Sequence, residues 1–260
     1  MCLIVLAWQA RADLPLVVAA NRDEWRERPT KPAHWWPDQP NLLAGRDLQA
    51  GGTWMGIRRD GRFAAVTNFR DPSDKRAAAR SRGALVTEFL AGAEAPKAFL
   101  AGLSGRAAEY NGFNLVLGDG AGLWYYGSRE GEARAIEPGI HGLSNHLLDE
   151  PWPKVVRGRR AMEEAMRRDD PAPVLFDLLS DGAGAPDAAL PETGVGIAWE
   201  RRLASPLITG VDYGTRASTV LSVAASGTVV FEERTRDADG ATVEIAIHRF
   251  VTRSPGRRAA

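Results

Sequence analysis

Cysteine is almost absent from this chain: there is one, Cys2, in 260 residues. A single cysteine excludes an intrachain disulfide framework and a zinc site built on several thiolates. It matches the usage of a reducing compartment, and a cytoplasmic protein is the expectation. Neither charge sign is in excess, since Lys+Arg and Asp+Glu stand at 33 each. That balance provides no global field for nucleic acid or an anionic membrane surface. Long apolar runs are missing as well. None approaches the ~20 residues of a spanning helix, so no integral membrane segment is expected. The start of the chain also lacks the basic stretch and small-residue cleavage site of a secretion signal. Histidine is scarce, at His34, His141, His146 and His248. The five-residue spacing of His141 and His146 suits neither one helix face nor one strand face, so no metal centre is expected. Each histidine reads as a partly exposed polar residue. His34, ahead of Trp35-Trp36, has the alternative of facing a planar ligand.

What is present is enough for a substantial core: 44% of the residues are hydrophobic. Two apolar runs, Leu3 to Gln9 and Leu16 to Ala20, flank the turn Ala10-Arg11-Ala12-Asp13 and predict a hairpin of buried strands. The passage from Trp25 to Pro40 is too irregular in pattern to predict a regular element. Asp60-Gly61 is a hairpin turn between Thr53–Ile57 and Phe63–Thr67. Helical periodicity follows at Gly83–Leu90 and Pro96–Leu103, and strands return at Phe113–Leu117 and Leu123–Tyr126. Helices are predicted at Pro151–Met166 and Pro173–Leu179, a loop at Asp181–Ala189, and strands at Ser218–Ala224, Thr228–Thr235 and Thr242–Val251. Strand groups alternating with helix groups predict antiparallel sheets covered by helices. The expected organisation is one domain over residues 1–252 and a basic, disordered tail over 253–260.

Cys2 is the first chemical candidate. Removal of Met1 would leave a thiol and a free α-amine on one residue, with pKa values near ~8.5 and ~7.7–8.0. The amine can then serve as general base for its own thiol. The alternative is a small buried hydrophobe at a strand start. Asn21-Arg22-Asp23-Glu24 ends the second predicted strand, near Cys2 if the register is favourable. Asp23 could hold the amine there, and Arg22 could meet Asp23 or a carboxylate, unless the run is only a salt-bridged polar turn. Asn68 and Asn145 each end a predicted strand and offer neutral amide donors for an oxyanion, or simply turn residues. Arg216 sits at a sheet rim. The basic run Arg70, Lys75, Arg76, Arg80, Arg82 could meet a phosphate, although a solvated loop and helix start is the favoured reading. Gly118-x-Gly120-x-Gly122 leads into a strand, so it is a hairpin turn rather than a phosphate loop. Gly142-Leu143-Ser144-Asn145-His146 has histidine where a serine-hydrolase elbow needs glycine.

Taken in order, Met1-Cys2, Asn21-Arg22-Asp23-Glu24, Gly51-Gly52-Thr53-Trp54, Thr67-Asn68, Gly112-Phe113-Asn114-Leu115, Gly142-Leu143-Ser144-Asn145, Pro151-Trp152-Pro153-Lys154 and Gly214-Thr215-Arg216 resemble the NRDE family, whose eukaryotic members are the transport and Golgi organisation protein 2 homologues. The resemblance implies an α+β fold of the N-terminal nucleophile hydrolase type, a four-layer αββα sandwich of two antiparallel sheets. It is similar to that of the cysteine amidases of bile-salt conjugates and penicillin V. By that resemblance Cys2 is the nucleophile and Asp23 contacts the terminal amine. Asn68 and Asn145 lie at the oxyanion, and Arg216 is the late arginine. Those amidases carry an arginine three residues before the aspartate, and here Ala20 stands there. The implied roles are handling of haem, as a transported ligand, or of an acyl-coenzyme A or lipid, with cleavage of an amide or thioester as the alternative. For a carrier, Asn21, Arg22, Glu24, His34 and Arg70 join Cys2 and Arg216 as ligand-binding candidates.

Overall fold

The computed structural model describes residues 2–74, 76 and 79–252. The predicted tail at 253–260, together with Met1 and Lys75, lies outside the described residues.

The predicted first hairpin forms, as β1 (Cys2–Trp8) and β2 (Leu16–Trp25). Every residue of β1 is buried, as is Leu16 through Asn21 of β2, so both faces of this pair are covered. That explains the unbroken apolar runs, since a strand packed on both faces has no reason to alternate. The second strand runs on through Asn21-Arg22-Asp23-Glu24, which is therefore ladder rather than turn. The passage expected to be irregular is instead a second hairpin, β3 (Thr30–Trp36) and β4 (Gln39–Asp47). Its register shifts at Lys31/His34 and again at Trp35/Trp36, which breaks the period-2 pattern. Pro32 is tolerated because β3 is an edge strand, where a missing N–H costs no ladder bond. Asp60-Gly61 joins β5 (Met55–Arg58) to β6 (Phe63–Asn68), and Gly61 takes φ +91° there.

Helices α1 (Gly83–Ala91) and α2 (Pro96–Ser104) follow as predicted. The glycine-rich turn then joins β7 (Phe113–Gly118) to β8 (Leu123–Gly127), and two short strands follow, β9 (Ala133–Ala135) and β10 (Gly139–Leu143). Next come α3 (Pro153–Ala165), α4 (Ala172–Leu179) and α5 (Ile197–Leu203). The last, only a turn or two long and rich in charge, was not legible in the pattern. Three long strands close the chain: β11 (Tyr213–Val223), β12 (Thr228–Arg236) and β13 (Thr242–Val251).

The strands make two antiparallel sheets, one six-stranded in the order β10-β1-β2-β11-β12-β13 and one seven-stranded running β3 through β9. Ile4, Leu6, Val18 and Ala20 of the first meet Leu43, Ile57, Phe63 and Val116 of the second in a core between the sheets. The outer face of the seven-stranded sheet is covered by Leu85, Phe89, Phe99 and Leu103 of α1 and α2. The outer face of the six-stranded sheet is covered by Val155, Met162, Leu175 and Phe176 of α3 and α4. The layers thus run helix, sheet, sheet, helix, the α+β sandwich that the strand and helix groups predict.

Candidate functional site

The β1–β2 register decides which polar residues meet. Cys2 is paired with Arg22, and Leu3 with Asn21. Even-numbered Ile4 and Leu6 point into the inter-sheet core, while Leu3 and Val5 point under the helices. Period-2 alternation therefore sends Cys2, Arg22 and Glu24 to the inter-sheet side, and Asn21 and Asp23 to the helical side. The four residues of the run split between two compartments.

On the inter-sheet side the strand ends enclose a cavity of about 620 Å³. Of the candidates read from the sequence, Cys2, Arg22, Glu24, Asn68 and Arg216 line it. Its lining is strongly basic. Arg22, Arg28, Lys31 and Arg46 come from the first two hairpins, and Arg76, Arg80, Arg82 and Arg216 from elsewhere. Against these eight stand four acids, Glu24, Asp47, Glu233 and Glu244. Trp54 and Val66 supply the main apolar wall. Several cations are spoken for, such as Arg28, which pairs with Asp47 at 2.7 Å. Lys31, Arg82 and Arg216 make no ion pair among the described residues. Arg216 sits at a bulge in β11, between Thr215 and Ala217. Its guanidinium donates to the carbonyls of Trp25, Arg26 and Arg28 at 2.9, 3.1 and 3.1 Å. It therefore fixes the β2–β3 turn and makes no ion pair with Asp23 among the described residues. Glu233 is a buried wall residue whose Oε1 accepts from the Ala33 N–H at 2.7 Å. Burial pushes its carboxyl above the usual carboxylate range.

Behind Cys2, on the helical side, lies a buried polar cluster. Thr215 Oγ1 donates to Asp23 Oδ1 at 2.7 Å, with both residues buried. Burial raises the Asp23 carboxyl, and Lys154, the Thr215 hydroxyl and Arg70 pull it back. Arg70 was read as part of a solvated basic loop or as a phosphate contact. It is instead enclosed, with its Nη1 2.5 Å from Glu200 Oε2 and its guanidinium 4.5 Å above the Trp152 ring. Glu200 also accepts from the Thr193 N–H at 3.0 Å. The segment leaving β6 dives into the core because the Arg70 N–H donates to the Asn145 carbonyl at 2.7 Å.

The remaining candidates are placed as follows. Asn145 is buried, and its Nδ2 donates to the Asn68 carbonyl at 2.9 Å, so it ties the two predicted asparagine-bearing strand ends together. Its neighbour Ser144 donates to the Cys2 carbonyl at 3.0 Å and fixes the height of the thiol-bearing residue. Asn21 turns its amide away from the cavity, donating to the carbonyls of Leu179 and Pro206 at 2.9 Å each. His34 is outside the lining, and its Nδ1 donates to the Pro32 carbonyl at 2.8 Å. Its ring sits at the irregular β3 edge. Sequence reasoning missed Thr215, Lys154 and Glu200. Only their motif neighbours, Gly214-Thr215-Arg216 and Pro153-Lys154, hinted at two of them.

The thiol therefore sits where an open basic cavity meets a buried, charge-balanced cluster. Burial pushes the Cys2 thiol up and Asp23 adds to that, while Arg22 acts against it. Arg82 and Lys154 are also within electrostatic reach of the sulfur. At position 20, Ala20 is buried in the inter-sheet core. Among the described residues, the cationic neighbours of Asp23 include Lys154 and Arg70. Among the described residues there is no group of three or more His, Cys, Asp or Glu able to hold a metal ion, and no helix long and apolar enough to cross a membrane.

An αββα sandwich with one cysteine at the floor of a basic inter-sheet cavity defines the class. The chain belongs to the family described as Transport and Golgi organisation 2, whose pattern it matches over residues 1–238. It is 36% identical to the Transport and Golgi organization protein 2 homolog of Bos taurus, over 96% of this chain and 99% of that protein. The Homo sapiens homolog is 35% identical, over 98% of this chain and all of that protein. The Drosophila melanogaster Transport and Golgi organization protein 2 is 26% identical over 58% of this chain and 59% of its own length. Among solved structures, a mutant conjugated bile acid hydrolase from Clostridium perfringens covers both chains fully at TM-score 0.47 and 7% identity.

Proposed function

We propose that the cavity at Cys2 receives an anionic small molecule bearing an acyl group, of the acyl-coenzyme A kind. The phosphates would lie among the arginines and the carbonyl near the thiol. The observation that carries this reading is the lining itself, eight basic residues against four acidic ones around a single sulfur. A basic cleft with low-dielectric walls focuses its field on anionic ligands, and charge-assisted contacts from arginine are the strong ones. A volume of about 620 Å³ falls within the range of small-molecule sites, enough for the reactive part of such a ligand with the remainder reaching the rim. Haem is less well matched. None of the four histidines lines the cavity, and its walls are charged where a porphyrin face needs apolar contact. Calorimetric titration with coenzyme A, a thioether analogue of an acyl-coenzyme A, and haem tests the reading. Tight, salt-sensitive binding of the analogue supports it. Binding of haem alone, with a shifted Soret band, would replace it.

A second reading, hydrolysis, rests on the Cys2 thiol and the Asn68 side chain lining the same cavity with Asp23 behind them. With Met1 removed, the Cys2 amine would take the thiol proton and the thiolate would attack an amide or thioester carbonyl. The amide of Asn68 would receive the oxyanion, and water would release the acid. A burst of released thiol that disappears in Cys2→Ser is the expected sign. Its absence in protein shown by intact mass to lack Met1 leaves binding without turnover.

A further inference from the structure

Two open sheets have four edge strands between them, and a free edge is a template for another strand unless something blunts it. Three of the four are blunted. β3 carries Pro32 and two register shifts, β9 is three residues long, and β10 is five. The fourth edge, β13, is different. It runs ten residues without a proline, glycine or lysine, and its ladder with β12 is continuous from Glu244 to Val251. Its far side pairs with no strand among the described residues.

Burial alternates along this strand. Ala246, His248 and Phe250 face inward, where His248 Nε2 donates to the Ala33 carbonyl at 3.0 Å and Phe250 packs edge-on against Trp35. Ile245, Ile247 and Val251 face outward and are 54%, 45% and 61% exposed, with Arg249 among them. The helical cover ends before it reaches them. α3 and α4 pack against β10, β1, β2 and β11. The last contact is made from β12, where Arg234, the neighbour of Ile245, lies 3.5 Å over the Phe176 ring of α4. Exposed branched residues along an unblunted edge are a liability in a chain that stays single.

We propose that β13 is a dimer interface, on which a second copy of this chain adds its own β13 antiparallel about Ala246 and joins the two six-stranded sheets into one. A two-fold axis perpendicular to the sheet keeps each face on its own side, so residues opposite each other must share parity. The register about Ala246 sets Ile245 opposite Ile247 of the partner subunit, twice over, which closes the outer stripes into one apolar patch. On the inner face it sets the Glu244 carboxylate opposite His248 of the partner subunit, an acid facing a basic ring. No like charges meet. An axis at Ile247 would instead set Ile245 opposite Arg249 of the partner subunit and Glu244 opposite Phe250 of the partner subunit, which complements neither face. The self-complementary pair also uses up both free edges, so growth stops at two. Glu244 lines the Cys2 cavity as well, so the interface adjoins that site whatever ligand the site binds.

Sedimentation velocity of the full-length chain over a concentration series is the test, and the expected species has twice the 28.1 kDa of one chain. Ile245→Lys/Ile247→Lys sets like charges opposite each other and should weaken association by more than about tenfold. Both positions are exposed, so circular dichroism should show the fold retained. In a Cys2→Ser chain, Ala246→Cys lies on the axis, where opposite Cβ atoms approach within reach of a disulfide. Dissolved oxygen should then link it to its copy, while Val251→Cys, whose copies stand at opposite ends of the ladder, should stay unlinked. A monomer at every concentration overturns the proposal, and one that binds lipid vesicles through the stripe assigns the face to a membrane instead. A dimer unaffected by the paired lysine substitution overturns it too, as does linkage through Val251→Cys and not Ala246→Cys. If the lysine variant fails to fold, the two linkage experiments decide.

Discussion

Cys2 and Arg22 face each other as paired residues at one end of the β1–β2 ladder, and the next residue, Asp23, emerges on the opposite face of the sheet. A one-residue slip in that register would send the thiol under α3 and the carboxylate into the cavity. The pairing is held from both sides, by Val18 and Ala20 in the inter-sheet core and by Val17 and Ala19 beneath the helices. The site therefore depends on packing that lies outside it, and several expectations follow from that dependence.

Gly158 permits the contact between α3 and β1. Gly158→Ala should destabilise the fold by about 1–3 kcal/mol, because a methyl group has no room beside Val5. Val5→Ala in the same chain should recover part of the loss. Urea unfolding of the two variants checks this, and strictly additive losses would contradict it.

The Arg70–Glu200 pair is enclosed, with side-chain exposures of 3% and 4%. Glu200→Gln leaves the guanidinium without its carboxylate and should cost about 3–5 kcal/mol. Arg70→Met/Glu200→Leu should cost less than either single change. Equilibrium denaturation across the cycle measures the coupling.

His141 and Asp149 give the fold a pH signature. The hydrogen bond to Asp149, 2.7 Å from His141 Nδ1, raises the histidine. Burial pushes the Asp149 carboxyl up, but the hydrogen bonds from His141 and Gly142 outweigh it and hold the carboxyl low. A raised histidine contributes stability that is complete below its unfolded value of about 6.5 and fades as pH rises through the folded value. A lowered aspartate contributes above its unfolded value of about 3.9 and fades as pH falls. The loss caused by Asp149→Asn should therefore be largest between about pH 4 and pH 6.5 and should shrink on the alkaline side. Thermal unfolding of both proteins across pH reads it directly.

The basic lining predicts which cations matter for the ligand. Lys31 is exposed and Arg82 half-buried, and neither makes an ion pair among the described residues. Lys31→Glu and Arg82→Glu should each weaken binding of an acyl-coenzyme A analogue by about tenfold and flatten its salt dependence. Arg216→Gln should instead loosen the β2–β3 turn, because the turn carbonyls already occupy its guanidinium. Calorimetry at several salt concentrations distinguishes these behaviours.

The sequence made some of this legible and concealed the rest for definable reasons. The apolar runs of β1 and β2 and the Asp60-Gly61 turn carry local signals, and those elements form where predicted. The β3–β4 hairpin was hidden because two register shifts and an edge-strand proline erase alternation. Cys2, Arg22, Glu24, Asn68 and Arg216, candidates from separate parts of the sequence, do share one cavity. Residue spacing could not show that Asp23 turns its back on it, since that depends on the register with Cys2. Arg70 looked solvated because its partner Glu200 is 130 residues away. Lys154 looked like any helix-start lysine until its surroundings were known.

The central claim is that an anionic acyl ligand occupies the cavity with its carbonyl end at Cys2. Protection of Cys2 from iodoacetamide by the thioether analogue of an acyl-coenzyme A tests it most directly, with one cysteine to report. Alkylation should slow in proportion to occupancy, and Arg82→Glu should raise the analogue concentration needed for half-protection by about tenfold. Alkylation at the unprotected rate under saturating analogue would place the ligand elsewhere and contradict the account.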